Sequence, residues 1–137
     1  MCSRDFPNLF WPGPLQAAVG ANQIFTLDTL TAHIAYIIAE ATRMAGPGKK
    51  AVIEPTAEAL EEWAMKIMAN AATFAAMAGC TPSYLNREAE MDEVSPEMRM
   101  KAARNGVWGY GFSSFLGTME AWRADGGLRG LQVTAVA

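Results

Sequence analysis

Apolar residues return at three- and four-residue steps from about Ala21 to Met44. Leu27, Leu30, Ile34, Ile37, Ile38 and Ala41 form one stripe, which predicts a helix that Gly46-Pro47-Gly48 stops. Ala51-Val52-Ile53 makes a short connection. Pro55 then suits the first turn of a second helix, whose Glu58, Glu61 and Glu62 complement its positive end. The inner face of that helix is expected to carry Leu60, Trp63, Ile67, Met68, Ala71, Phe74, Ala75 and Ala78, with Gly79 as C-cap. Its many alanines imply close approach to another element. From Cys80 to Val94 no period is visible, and irregular stretches of that length in compact domains are usually functional or mobile. Ser95 as N-cap and Pro96 at the first position open a short helix to about Arg104, closed by Asn105-Gly106. Val107 to Phe112 alternates aromatics with glycines. A last helix follows from about Ser114 to Ala124, with Phe115, Met119 and Trp122 inward and Gly126-Gly127 behind it. Leu131 to Val136 reads as a strand. Another short apolar strand is expected between Phe6 and Pro14, where Pro12-Gly13-Pro14 ends it, because proline cannot continue a ladder. The expected fold class is mainly α, a single domain over residues 1–137 with about four helices and two short strands near the termini. No repeat is present.

Composition narrows the possible chemistry. The chain has 137 residues, 51% hydrophobic, enough for a globular core, and a net charge of −3. Its basic residues are scattered, with no cluster beyond Lys49-Lys50, so nucleic acid is not an expected partner. The first residues, Met1 to Pro7, lack the apolar core of a signal peptide, and no uninterrupted apolar run nears the ~20 residues of a membrane span. Two cysteines, Cys2 and Cys80, make a poor disulfide framework, which favours a reduced, cytoplasmic protein. One histidine and two cysteines fall short of the roughly four N or S ligands of a structural zinc site, so no metal is expected. No Gly-x-Gly-x-x-Gly follows a strand. The nearest glycine cluster, Gly106 to Gly111, follows a short helix, so no dinucleotide cofactor is expected in this chain.

What remains is a sparse set of candidates. His33 is the only side chain whose ordinary pKa lies near neutrality, and it stands for a general acid or base; the plainer reading is a helix residue with one satisfied nitrogen. Tyr84 and Asn86, in the irregular stretch, are the other candidate catalytic groups. Gln16 is a candidate polar contact to a substrate. Trp63 fits a core stripe but is also a candidate substrate wall, with Trp108, Tyr110 and Phe112. The glycine-interrupted aromatics can pack a loop down or present rings to a ligand. Met65, Met68, Met77, Met91, Met98 and Met100 either fill core gaps or form an adaptable apolar pocket. Cys80 reads as a buried, inert thiol. Arg104 suits either a helix C-terminus or a ligand carboxylate.

Phe6-Pro7-Asn8-Leu9-Phe10, followed by Gly13-Pro14, resembles the strand and turn that begin the last segment of FAD-dependent Baeyer–Villiger monooxygenases. His33-Ile34-Ala35-Tyr36-Ile37 is similar to the helix that follows there. Cys80-Thr81-Pro82-Ser83-Tyr84, Ala103-Arg104-Asn105 and the run from Trp108 to Val133 resemble its later parts. The resemblance covers nearly all of this chain and about the last quarter of the family's. It implies chemistry that inserts one oxygen of dioxygen beside a ketone using FAD and NADPH, with Gly13, Pro14 and Gln16 on the flavin side. The nucleotide-binding motifs of that family are missing here. The favoured expectation is therefore a cofactor-independent enzyme that folds a terpenoid- or polyketide-like substrate into a reactive shape for cyclisation, isomerisation or pericyclic closure. The alternative is the C-terminal part of a split FAD/NADPH-dependent monooxygenase. The third reading is a non-catalytic ligand-binding or dimerising module. A starting Met and capped helices predict a self-sufficient chain, and a homodimer is expected because pairing between copies buries a strand edge.

Overall fold

A computed structural model describes residues 2–70, 81 and 95–137. The elements are α1 (Gln23–Ala45), β1 (Lys50–Pro55), α2 (Ala57–Met68), α3 (Pro96–Arg104), α4 (Phe112–Asp125) and β2 (Leu131–Val136). Among the described residues, four helices and a two-stranded antiparallel sheet make the mainly helical domain that periodicity predicts. The rest of the second helix's expected inner face, with Gly79, Cys80, Tyr84 and Asn86, lies outside the described residues.

Local chemistry sets the helix ends. Asn22 is extended and its side chain accepts the Phe25 N–H at 3.0 Å, satisfying one donor at the start of α1. Thr56 does the same for Ala59 at 3.2 Å before α2, and Ser95 for Met98 at 3.2 Å before α3, where Pro96 needs no partner. Gly111 opens α4 without a side-chain cap, so the helix takes in Phe112, two residues ahead of the expected start.

α1 is the spine. Its buried face, Leu30, His33, Ile34, Ile37, Ala41 and Ala45, runs past two apolar clusters. Ala17, Ala18, Leu30, Ile67, Trp108, Phe115 and Met119 form one, between α1, α2 and α4. Ile37, Ala41, Ile53 and Leu128 form the other, beneath the sheet. By length and mean hydropathy α1 also meets the requirement for crossing a bilayer, although no uninterrupted apolar run reaches that length.

One expected strand is placed differently. β2 pairs with β1, from Lys50↔Val136 to Pro55↔Leu131, and not with the chain's start. Residues 6–14 contribute only the bridge Cys2↔Phe10. Asp5 and Asn8 take left-handed backbone angles, φ +67° and +62°, which break an extended run. Asn8 instead clamps the outer edge of β1. Its N–H donates to Ile53 O at 3.0 Å, its amide Nδ2 to Ala51 O at 3.1 Å, and its Oδ1 accepts from Ile53 N at 2.8 Å. The Ala51-Val52-Ile53 connection is thus a strand, and Asn8 stands in for the neighbour that the N-terminal segment fails to be.

Candidate functional site

The Pro14–Ala18 turn is tied down from several sides, and Gln16 is the knot. It holds φ +56°, a conformation that costs a non-glycine residue about 1 kcal/mol or more. The bonds around it offset that cost. Its N–H donates to Gly106 O at 2.8 Å, its Nε2 to Arg104 O at 2.8 Å, and its carbonyl accepts the Trp63 indole N–H at 3.0 Å. The Trp108 N–H adds a bond to Ala17 O at 2.9 Å. Arg104 is held in turn by Glu61 of α2, with Nη1–Oε1 at 3.0 Å, and this contact keeps the Glu61 carboxyl below the usual carboxylate range. Of the two readings of Arg104, its carboxylate partner is therefore a side chain of this protein.

Trp63 stacks on Trp108, ring centres 5.1 Å apart and 17° from parallel. Trp108 is buried and directs its indole N–H toward Ser114 Oγ at 3.4 Å; Tyr110 leans on it while remaining 56% exposed. Phe112 meets Phe25 edge-on at 5.7 Å. The Phe112 ring lies near Gly20, where a Cβ would come within 3.5 Å of it and 2.9 Å of Thr26 Oγ1.

A cleft of about 720 Å³ opens between α1, α2, α4 and the start of β2. Three of the expected site residues, Gln16, His33 and Trp63, line it, with Ile37, Phe115, Met119 and Trp122 as further apolar wall and Ser114 and Thr118 as hydroxyls. Trp108, Tyr110 and Phe112 stand together but do not line it: Trp108 backs the Trp63 wall, while Tyr110 and Phe112 lie toward α4's first turn. Cys2 reaches the same cleft, and burial pushes its thiol up.

His33 sits in the wall of the cleft, 6% exposed. Its Nδ1 lies 3.3 Å from Arg123 Nη1 and its ring tilts against Trp122 at 5.2 Å. Guanidinium can only donate, so this contact requires the lone pair on Nδ1 and puts the ring proton on Nε2. Burial first, and the Arg123 charge second, push its pKa down to about 4. Arg123 is itself fixed by α4 and by the Tyr36 hydroxyl, which donates to its carbonyl at 3.2 Å. Trp122 is anchored by its indole N–H on Arg129 O at 2.9 Å. Sequence reasoning passed over Arg123. It lies ninety positions from His33, and the only local signal was the Trp122-Arg123 pair.

Among the described residues no group of three or more His, Cys, Asp or Glu could hold a metal ion. The described residues do not fit a dinucleotide either. The strand-to-helix turn from β1 to α2 is Thr56 alone, with no glycine. Its hydroxyl occupies the Ala59 N–H, and Glu58 puts a negative charge where a pyrophosphate would lie.

No family model matches the chain. It is 44% identical, over 98% of its length, to the chermesin D/asnovolin J monooxidase of Aspergillus novofumigatus, and covers 22% of that protein. It is 42% identical over 96% of its length to an FAD-binding monooxygenase of Emericella nidulans, covering 20% of it. The solved structure of a polycyclic ketone monooxygenase from Thermothelomyces thermophila superposes on 97% of the chain with a TM-score of 0.83 at 38% identity, using 20% of that structure. The chain is thus homologous to a segment of FAD-binding monooxygenases, and spans about one fifth of the length of the curated relatives it matches.

Proposed function

We propose that this chain forms the C-terminal segment of an FAD- and NADPH-dependent monooxygenase of the Baeyer–Villiger type, acting on an apolar polycyclic ketone of secondary metabolism. The observation that carries this reading is the superposition of 97% of the chain on one fifth of a polycyclic ketone monooxygenase. The dinucleotides bind to the parts of such an enzyme that correspond to the other four fifths of the relatives, since the described residues build no pyrophosphate turn. The surface supports this. Leu15, Val19, Ile24 and Phe25 are 54%, 49%, 81% and 50% exposed in one stretch of chain on either side of Gly20, an apolar strip suited to packing against the rest of an enzyme. Within that assembly the locked Pro14–Ala18 turn faces the flavin side, and Gln16 is a positioning residue. His33, neutral above about pH 4, holds Arg123 in place and does not carry a catalytic proton.

The test is complementation. The polycyclic ketone monooxygenase deprived of its matching fifth is co-expressed with this chain. A yellow complex that oxidises NADPH when given a polycyclic ketone supports the reading. A chain that is helical by circular dichroism yet restores neither flavin binding nor NADPH oxidation rejects it.

The cofactor-independent reading keeps one specific observation in its favour, the aromatic cleft of about 720 Å³ with His33, Gln16 and Trp63 in its wall. Incubation of the chain alone with polyene and terpenoid ketones, without FAD or NADPH, tests it; turnover of any of them would put this reading first.

A further inference from the structure

The two edges of the sheet are treated differently, and backbone geometry identifies which groups each edge presents. In an antiparallel pair, alternate residues turn both their N–H and C=O toward the partner strand, and those between turn both away. Asn8 bonds the N–H and C=O of Ile53 and the C=O of Ala51, so these two residues face away from β2. Val52 and Glu54 therefore bond across to Thr134 and Gln132, and the bond from Thr56 N–H to Gly130 O at 2.9 Å continues the same alternation. By the register, Val133 and Ala135, opposite Ile53 and Ala51, turn their N–H and C=O groups to the outer edge of β2.

The outer edge of β1 is guarded. Asn8 occupies it, Lys50 begins it, and Pro55 stands at a position whose missing N–H would have pointed outward. β2 has none of these devices. Leu131-Gln132-Val133-Thr134-Ala135-Val136 contains no charge, proline or glycine, and Gln132, Thr134, Ala135 and Val136 are exposed. Among the described residues none bonds to the outward groups of Val133 and Ala135. An uncharged edge of high β-propensity invites another strand.

We propose that the occupant of this edge is β2 of a second copy, paired antiparallel about a two-fold axis through Thr134. The strand complements itself in that register. Val133 faces Ala135 of the second copy and Ala135 faces its Val133, and each such pair exchanges two hydrogen bonds, so all outward groups are satisfied. Thr134 faces Thr134, a favourable cross-strand pair, and no charge meets a like charge. The outer strands of the resulting four-stranded sheet are the two copies of β1, each closed by its own Asn8, so assembly stops at the dimer. The contact is a narrow one, which places it with weak, reversible association. It does not rest on the monooxygenase reading: flavin binding and self-association are separate readouts.

Sedimentation of the purified chain across micromolar to millimolar concentration tests the pairing. The expected result is a concentration-dependent dimer with no larger species. Ala135→Pro removes an outward donor without touching the bonds to β1, and is expected to leave a folded monomer. Thr134→Lys and Thr134→Glu each set like charges face to face and weaken the dimer by roughly tenfold. Mixing the two at equal concentration restores association as a heterodimer. A wild-type chain that stays monomeric throughout overturns the proposal, as does a larger assembly. So does a dimer indifferent to Ala135→Pro, or a charge-swapped pair that fails to associate while both variants remain folded by circular dichroism.

Discussion

Lowering the pH from 7 to 5 is expected to cost this domain about 2 kcal/mol through His33 alone. The unfolded imidazole titrates near 6.5, whereas the folded one, buried between α1 and α4 beside Arg123, titrates at about 4. Between those values the unfolded chain takes up a proton that the folded chain refuses, so stability falls as pH falls. The His33 contribution is intact above pH 6.5, erodes through pH 6 and 5, and levels off below 4. The full gap corresponds to roughly 3 kcal/mol, of which about 2 is lost by pH 5. Against a typical domain stability of about 5–15 kcal/mol that is a large fraction. The perturbed carboxylates act lower: hydrogen bonds from Arg43, Arg104 and Lys66 hold Glu40, Glu61 and Glu62 below the usual carboxylate range, so their loss comes at more acid pH. Urea unfolding at half-unit steps from pH 7.5 to 4.5, followed by far-ultraviolet circular dichroism, isolates the window. His33→Gln removes the titration and is expected to flatten the midpoint between pH 7 and 5. Arg123→Met lifts the repulsion but not the burial, so it weakens the slope without abolishing it. A wild-type midpoint that does not move over this range, or one that moves equally in His33→Gln, would refute the reasoning.

Two further expectations concern the sheet and its approach. Asn8→Ala strips two side-chain hydrogen bonds from the edge of β1 and should cost about 1–3 kcal/mol, with the Ile53 amide gaining hydrogen exchange ahead of the rest of the strand. Gly130→Ala should cost more than Gly127→Ala, although both hold left-handed angles, φ +83° and +67°. A Cβ at Gly130 would lie 2.8 Å from the Ala59 Cβ, where β2 passes α2, while one at Gly127 meets nothing within 4 Å. Overpacking adds about 1–3 kcal/mol to the conformational cost that both share, and thermal melts of the two variants read the difference.

Most of the helical scaffold was legible because its signals are local. The stripe of Leu30, Ile34, Ile37 and Ala41, the cap Ser95, and the stops at Gly46 and Gly126 all act within a few residues of where they stand, whereas Pro55, expected in the first turn of the second helix, ends β1 instead and leaves Thr56 to cap α2. The edge partner of β1 was not legible. Phe6 to Phe10 has the composition of a strand, and only the left-handed turn at Asn8, stabilised by a segment more than forty residues away, shows that a side chain takes a strand's place. Gln16 was read as a free polar contact for the same reason: its partners Trp63, Arg104 and Gly106 come from distant segments.

By itself, then, the sequence determined four helices, the final strand and the lack of a glycine-rich phosphate turn, since each depends on neighbours in the chain. Only the tertiary structure decided what His33 is. Its proton position, its lowered pKa and its place in a cleft wall arise from Arg123 and Trp122, brought to it by the packing of α4 on α1. Periodicity can say that a histidine lies near an apolar stripe. Its electrostatic environment is a sum over groups scattered along the chain, and the fold alone brings those groups together.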